Sequence, residues 1–261
     1  MIQKSSVTVV YPTYNEKDNI GPMIDATLAS CRDRKIEILV VDDDSPDLTW
    51  KNAKEIEKMH QEVRVIRRVG ERGLTSALNR GIQEAKNDVV VWLDCDFQHP
   101  PEKIETLLNQ IDQGFDVAVG SRFLAKVSAD DRLTLSTSKN FTTYLHGHLS
   151  KTLCRMLSRT FGSDFTDWTS GLIAVKREIL VSHPLNGSHG DYFIELLVWL
   201  RHSKYRCTEI PYQLSIRKSG ESKTAPNIFH LIGNGFVYLK TILKLKAEYS
   251  LLGQKTIRRT L

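Results

Sequence analysis

The chain has 261 residues, of which 41% are apolar and 26% charged, the balance of a soluble globular protein with room for one large α/β domain, or for one domain with an appended segment. No uninterrupted run of about 18 apolar residues occurs, so no transmembrane helix is expected, and Val7–Val10 is too short for a signal-peptide core. The net charge is a modest +5, and no recognition helix, finger or aromatic sheet motif accompanies it, so no nucleic-acid partner is expected.

Ser6–Val10 reads as a buried strand ending at Tyr11-Pro12, followed by a helix from Ile20 to Cys31 with Met23, Ile24 and Leu28 at helical spacing. Ile36–Val41 is a second strand that runs into Asp42-Asp-Asp-Ser-Pro-Asp47. One of Asp42 to Asp44 is expected to cap the next helix, Leu48–Met59. Val63–Arg67 is a third strand, Gly70–Gly73 a loop, and Leu74–Ala85 a helix with small residues at Ala77 and Gly81. Val89–Leu93 is a fourth strand, stopped by Pro100-Pro101, and Asp116–Val119 a fifth, closed by Gly120-Ser-Arg-Phe123. This alternation predicts a parallel, doubly wound sheet, whose ligands collect at the carboxyl ends of the strands.

Residues 125–140 are polar and aperiodic and read as a loop, whereas Phe141–Phe161 is an amphipathic helix flanked by Lys151, Arg155 and Arg159. That helix either packs on the sheet or lies on a bilayer surface. A strand at Leu172–Val175 and a helix opened by Gly190-Asp191 follow. From Pro226 the chain is apolar but interrupted by polar residues and is basic through Arg259. It is too polar to span a membrane, and it suits an interfacial position among anionic headgroups. The expected division is a catalytic domain over 1–225 and an amphipathic basic segment over 226–261. Cys31, Cys95, Cys154 and Cys207 have neither metal nor disulfide spacing and read as free thiols in a reducing compartment.

Chemistry is concentrated after the fourth strand. If the chain stays extended, Asp94, Asp96 and Gln98 point the same way and offer oxygens to a hard cation, Mg²⁺ or Mn²⁺; Cys95 then points into packing. The bland alternative is that the aspartates merely end a strand and begin a turn. Asn15-Glu16 and Asp42–Asp44 fall at other strand ends, which gathers acidic groups on one edge. Neither Gly-x-Gly-x-x-Gly nor a P-loop is present, so a dinucleotide or P-loop NTPase site is not expected.

Pro12-Thr-Tyr-Asn-Glu16, Val40–Asp47, Gly73-Leu74, Leu93–Glu102, Gly120-Ser-Arg122, Asp167-Trp-Thr-Ser-Gly171 and Gly220–Lys223 together resemble glycosyltransferase family 2. More narrowly, they resemble its dolichyl/polyprenyl-phosphate mannosyltransferase branch, over residues 6–225. The resemblance implies a GT-A type α/β fold, a mostly parallel sheet flanked by helices, with amphipathic helices at a membrane interface. It also implies a nucleotide-sugar donor bordered by Pro12, Tyr14, Glu16, Val40, Asp42, Gly73, Asp94, Cys95 and Asp96, with a metal on Asp94, Asp96 and Gln98. Asp94, Asp96 and Arg122 would be catalytic, and Arg122, Lys139, Arg217 and Lys223 would meet the acceptor phosphate. Asp167 and Ser170-Gly171 would lie near the sugar. The expected location is peripheral, on the cytoplasmic side of a membrane, where a membrane-anchoring partner subunit is compatible.

The implied reaction moves a sugar, first of all mannose from GDP-mannose, onto a polyprenyl phosphate with inversion. At Gly190–Glu195 the chain lacks the lysine usual in the family and carries Asp191 and Glu195 instead. That leaves open a UDP-sugar donor, or a sugar hydroxyl as acceptor with one of these carboxylates as base. A catalytically silent nucleotide-sugar-binding scaffold and a nucleotidyl transferase are the rivals from other classes.

Overall fold

The computed structural model describes residues 4–124, 141–188, 190–215 and 235–249. Its core is a seven-stranded sheet in the order β3-β2-β1-β4-β6-β5-β7. The strands are β1 (Val7–Thr13), β2 (Ile36–Asp42), β3 (Val63–Arg67), β4 (Val89–Trp92), β5 (Val117–Ser121), β6 (Ile173–Lys176) and β7 (Cys207–Pro211). All pairings are parallel except those of β6, which runs antiparallel to β4 and to β5. The expected mostly parallel α/β sheet is therefore present. The reversed strand is legible only from pairing, because a short apolar run carries no direction.

Strand alternation divides the core into two layers. Val7, Val9 and Tyr11 face the layer that contains α1 (Lys17–Ser30), α2 (Thr49–Met59) and α4 (Lys103–Asp112). Val10, Leu39, Val41, Val90 and Trp92 face the other layer. There they meet α3 (Leu74–Glu84), α5 (Phe141–Phe161), α6 (Arg177–Ser182), α7 (Asp191–His202) and α8 at 235–249. Helix α4 was not expected from the sequence, although Ile104, Leu107, Leu108 and Ile111 repeat at helical spacing and are buried. At Gly81 on α3 an added Cβ would collide with the Val10 side chain, so the missing side chain sets how closely α3 approaches β1.

Helix α1 starts earlier than expected, at Lys17, and encloses Pro22. Strand β1 continues to Thr13 because its register with β2 runs on through Pro12↔Val41 and Thr13↔Asp42, whereas its pairing with β4 stops at Val10↔Trp92. Past Val10 this edge of β1 has no strand partner among the described residues, and a crevice opens between β1 and β4. This is where the strand order reverses direction, the place ligands occupy in open α/β sheets.

Helix α8 has two faces. Ile242 and Leu245 are buried in the same core as α7, worth about 1.5–3 kcal/mol apiece. Tyr249 lies on His202 with ring centroids 4.1 Å apart. Opposite them Phe236, Leu239 and Leu243 are exposed, with Lys240, Lys244 and Lys246 alongside. Packing on the domain, set against an interfacial position in the sequence reading, thus occupies one face only. Among the described residues no helix is long and apolar enough to cross a membrane.

Candidate active site

The crevice is a cleft of about 490 Å³. Pro12, Thr13, Tyr14 and Glu16 line it from the end of β1, Asp43 from β2, and Arg72, Gly73, Leu74 and Ala77 from the start of α3. Asp94, Cys95 and Asp96 enter from β4, and Ser188 and Gly190 form the wall before α7. Of the expected nucleotide-sugar residues, Pro12, Tyr14, Glu16, Gly73, Asp94, Cys95 and Asp96 come together here, while Val40 and Asp42 lie beneath it, fully buried. Four carboxylates face one cation, Arg72. Its guanidinium sits 3.9 Å from the centroid of the Tyr14 ring. Arg72 is not among the expected residues; it lies five positions past the end of β3, whereas Arg122 directly follows β5, so the signal that marked Arg122 is weaker for it.

Asp42 is a structural pin. Its carboxylate accepts Thr13 Oγ1–H at 2.8 Å, Ser45 Oγ–H at 2.7 Å and the Ser45 N–H at 2.8 Å. Asp43 is the residue that reaches the cleft. It accepts from Arg68 Nε–H at 2.7 Å and from the Gly73 N–H at 2.7 Å, and so ties β2 to the turn before α3. Gly73 has φ +146°, a conformation open chiefly to glycine. Capping of α2 does not fall to Asp42–Asp44: Asp47 accepts the Thr49 N–H at 2.9 Å and its hydroxyl at 2.6 Å.

The extended course expected for 94–98 is not what the chain adopts. Strand β4 ends at Trp92 and the chain turns, with Phe97 left-handed at φ +66°. Asp96 is buried and closes this turn by accepting the Gln98 N–H at 2.9 Å, whereas the Asp94 side chain is 59% exposed. Gln98 does not line the cleft. Cys95 packs into the core, as its alternation predicted, and only borders the cleft. The reading of this stretch named no imidazole, yet His99 is buried against it. Its Nδ1 accepts the Asp94 N–H at 3.3 Å, and its Nε2–H donates to Ser170 O at 2.8 Å.

Arg122 does not present an open fork. Its Nε–H and Nη2–H groups each donate to the carboxylate of the fully buried Asp167 at 2.7 Å, and Nη2 also reaches Thr169 Oγ1 at 2.7 Å. Burial works against the guanidinium charge, but the Asp167 carboxylate outweighs it and holds the pKa above the ordinary arginine value. Glu209 braces the same segment by accepting N–H bonds from Thr166 and Asp167, and burial raises its pKa against those bonds. Lys139, Arg217 and Lys223 lie outside the described residues.

The two carboxylates that replace the usual lysine are both engaged. Asp191 is buried, accepting the Ser188 N–H at 3.1 Å and Thr241 Oγ1–H of α8 at 3.3 Å. Glu195 meets His183 Nε2 at 3.1 Å, and that imidazole stacks on Trp199 with centroids 3.9 Å apart. Neither carboxylate lines the cleft.

A model of the family described as Glycosyl transferase family 2 matches residues 8–181. A dolichol-phosphate mannosyltransferase of Pyrococcus furiosus is 34% identical over 92% of this chain. The chain spans 63% of that relative's length. A polyprenol monophosphomannose synthase of Mycolicibacterium smegmatis is 31% identical over 82% of this chain and 79% of its own. Among solved structures, glucosyl-3-phosphoglycerate synthase from Mycobacterium tuberculosis, crystallised with Mn²⁺, UDP and phosphoglyceric acid, superposes with a TM-score of 0.66 at 19% identity. The superposition covers 93% of this chain and 78% of that one, and shows a shared fold.

Proposed function

The chain belongs to glycosyltransferase family 2, and we propose that it transfers a sugar, foremost mannose from GDP-mannose, to a polyprenyl or dolichyl phosphate at a membrane surface, with inversion. The observation that carries this reading is the crevice at the β1/β4 switch point, where Asp94 and Asp96 face Tyr14, Glu16 and Arg72. With a divalent cation set against its carboxylates, such a cleft suits a nucleoside diphosphate. Tyr14 offers a ring face to a base, Glu16 and Asp43 suit ribose hydroxyls, and Arg72 supplies positive charge for phosphate.

The donor set suits Mg²⁺ or Mn²⁺. Among the described residues no three His, Cys, Asp or Glu side chains gather into a complete cage, and Cys95 is turned into the core. Two carboxylates with the rest of the shell left to diphosphate oxygens and water is how such hard cations bind beside phosphates. Asp94 and Asp96 would hold the ion; Gln98, expected beside them, does not line the cleft, because the turn at Phe97 breaks the alternation that would have aimed it there. When bound, the ion offsets charge on the departing nucleoside diphosphate.

Catalysis by the chain itself is then positioning. A phosphate monoester is largely dianionic near neutrality, since its second pKa is about 6, so the nucleophile needs no base. This agrees with Asp191 and Glu195 being taken up in packing rather than facing the cleft. Arg122 and Asp167 fix the segment 167–170 beside β5, and the acceptor's anion would be met by the cations at 139, 217 and 223 together with Arg122. Ser188 and Gly190, which line the cleft, would help keep water from the activated sugar.

A peripheral position on the cytoplasmic face of a membrane follows from the same reading. The stripe of Phe236, Leu239 and Leu243 between lysines on α8 suits anionic headgroups. So do Leu149 and Met156 beside Lys151, Arg155 and Arg159 on α5. The test is transfer of radiolabelled mannose from GDP-mannose to a short polyprenyl phosphate, with Mg²⁺ or Mn²⁺, by wild type and Asp96→Asn. Lipid-linked product from wild type and none from the variant is expected. Silence of the wild type across GDP- and UDP-sugars would favour the non-catalytic binding scaffold instead.

A further inference from the structure

His99 is engaged at both ring nitrogens, and the partners lie in two segments that β4 and β6 bring together. The Asp94 N–H fills the Nδ1 lone pair at 3.3 Å, so the proton sits on Nε2, which donates to Ser170 O at 2.8 Å. The ring is tilted 49° to that of Tyr212, centroids 5.6 Å apart, and its Cε1 lies beside Gly171, whose φ is +75°. Asp94 Oδ2 is 3.8 Å from Nδ1, too far for a hydrogen bond, so the imidazole fixes the peptide of Asp94 and leaves the carboxylate facing the cleft. Ser170, in turn, closes the segment that begins at Asp167, the partner of Arg122.

We propose that His99 is a positioning residue, a neutral imidazole strut that sets the Asp94 carboxylate relative to the 167–170 segment. One nitrogen orients the metal-holding side and the other orients the segment facing the sugar and acceptor. The proposal rests on the assignment of Asp94 and Asp96 to a divalent cation. Asp94 lies beyond Trp92, where the pairing of β4 with β1 and β6 ends, so the bond from its N–H to His99 ties it to the 167–170 segment by a route other than the sheet.

Two substitutions separate the nitrogens. In His99→Asn the amide oxygen stands where Nδ1 was and can still accept the Asp94 N–H. In His99→Gln the amide N–H stands where Nε2–H was and can still donate to Ser170 O. Mn²⁺ binding in the presence of GDP or UDP, followed by electron paramagnetic resonance on the full chain, should weaken about 10–100-fold in His99→Gln, the range for losing a group that orients a metal ligand. His99→Asn should stay close to wild type in Mn²⁺ affinity and lose kcat instead.

Equal Mn²⁺ affinity in the two variants overturns the strut, whether both match wild type or both fall in step with their melting temperatures. So does failure of both to fold, which would make the histidine a packing residue only. Asp96→Asn separates this failure from that of the underlying assignment. If Asp96→Asn binds Mn²⁺ like wild type, the metal site is wrong and the strut falls with it. If Asp96→Asn loses Mn²⁺ while His99→Gln keeps it, only the strut fails.

Discussion

At Asp43 one carboxylate holds two things, the guanidinium of the buried Arg68 and the backbone N–H of Gly73. Replacing it by Ala strands Arg68 without its main counter-charge, so Asp43→Ala should cost about 3–5 kcal/mol in urea unfolding. Asp94→Ala removes an exposed side chain and should change stability by no more than about 0.5 kcal/mol, while Mn²⁺ binding is lost. Comparable unfolding midpoints for the two variants would contradict this division. Glu209 gives a pH prediction. Burial raises its folded pKa above the ordinary 4.5, so the folded state binds the proton more tightly than the unfolded state. Its contribution is fully present below 4.5 and is lost as pH rises through the raised value. The stability of wild type minus that of Glu209→Gln, measured by denaturant titration, should therefore fall as pH rises above 4.5, whereas a difference that rises with pH would contradict the raised pKa. Adjacent aspartates at 42 and 43 look alike in sequence, and only the register of β2 and the approach of Arg68 decide which is a buried pin and which reaches the cleft.

Helix α8 shows the same division on the scale of an element. Leu245→Ala removes a side chain from the core and should destabilise by about 2–5 kcal/mol. The double change Phe236→Glu and Leu243→Glu touches only exposed positions and should leave the melting temperature unchanged. It should nevertheless weaken binding to anionic liposomes by at least about 100-fold, since each buried apolar side chain is worth about 1.5–3 kcal/mol. Unchanged pelleting would remove α8 from the interface. Deleting the whole 226–261 segment is a poorer test, because it also strips Ile242 and Leu245 from the core. The interrupted apolar pattern from Pro226 onward indicated an amphipathic, basic segment. It did not reveal that the buried face would close over the wall at Gly190, where Tyr238 stands in the way of any added Cβ.

For the molecule as a whole, the proposed reaction makes transfer depend on a divalent cation and on no base from Asp191 or Glu195. Chelation should abolish transfer and Mn²⁺ restore it, and Asp191→Asn and Glu195→Gln should each retain turnover within about tenfold. A loss of several orders of magnitude in either variant, with the fold intact, would return a sugar hydroxyl acceptor to consideration. Much of this was set by the sequence itself. The β-branched runs of β1, β2 and β4 mark buried parallel strands, and their ends mark where polar groups must emerge, so Glu16, Asp94 and Asp96 could be placed at one edge, while Tyr14 came only from the family resemblance. Those signals are local, arising from periodicity and backbone propensity within a few residues. The tertiary structure alone decided the partnerships: Arg122 with Asp167, 45 positions away, His99 with Ser170, Arg72 over Tyr14, and β6 reversed between β4 and β5. A hydrogen bond or stacked ring depends on distances of a few ångströms between segments far apart in the chain, and that closeness exists only once the sheet order and registers are fixed.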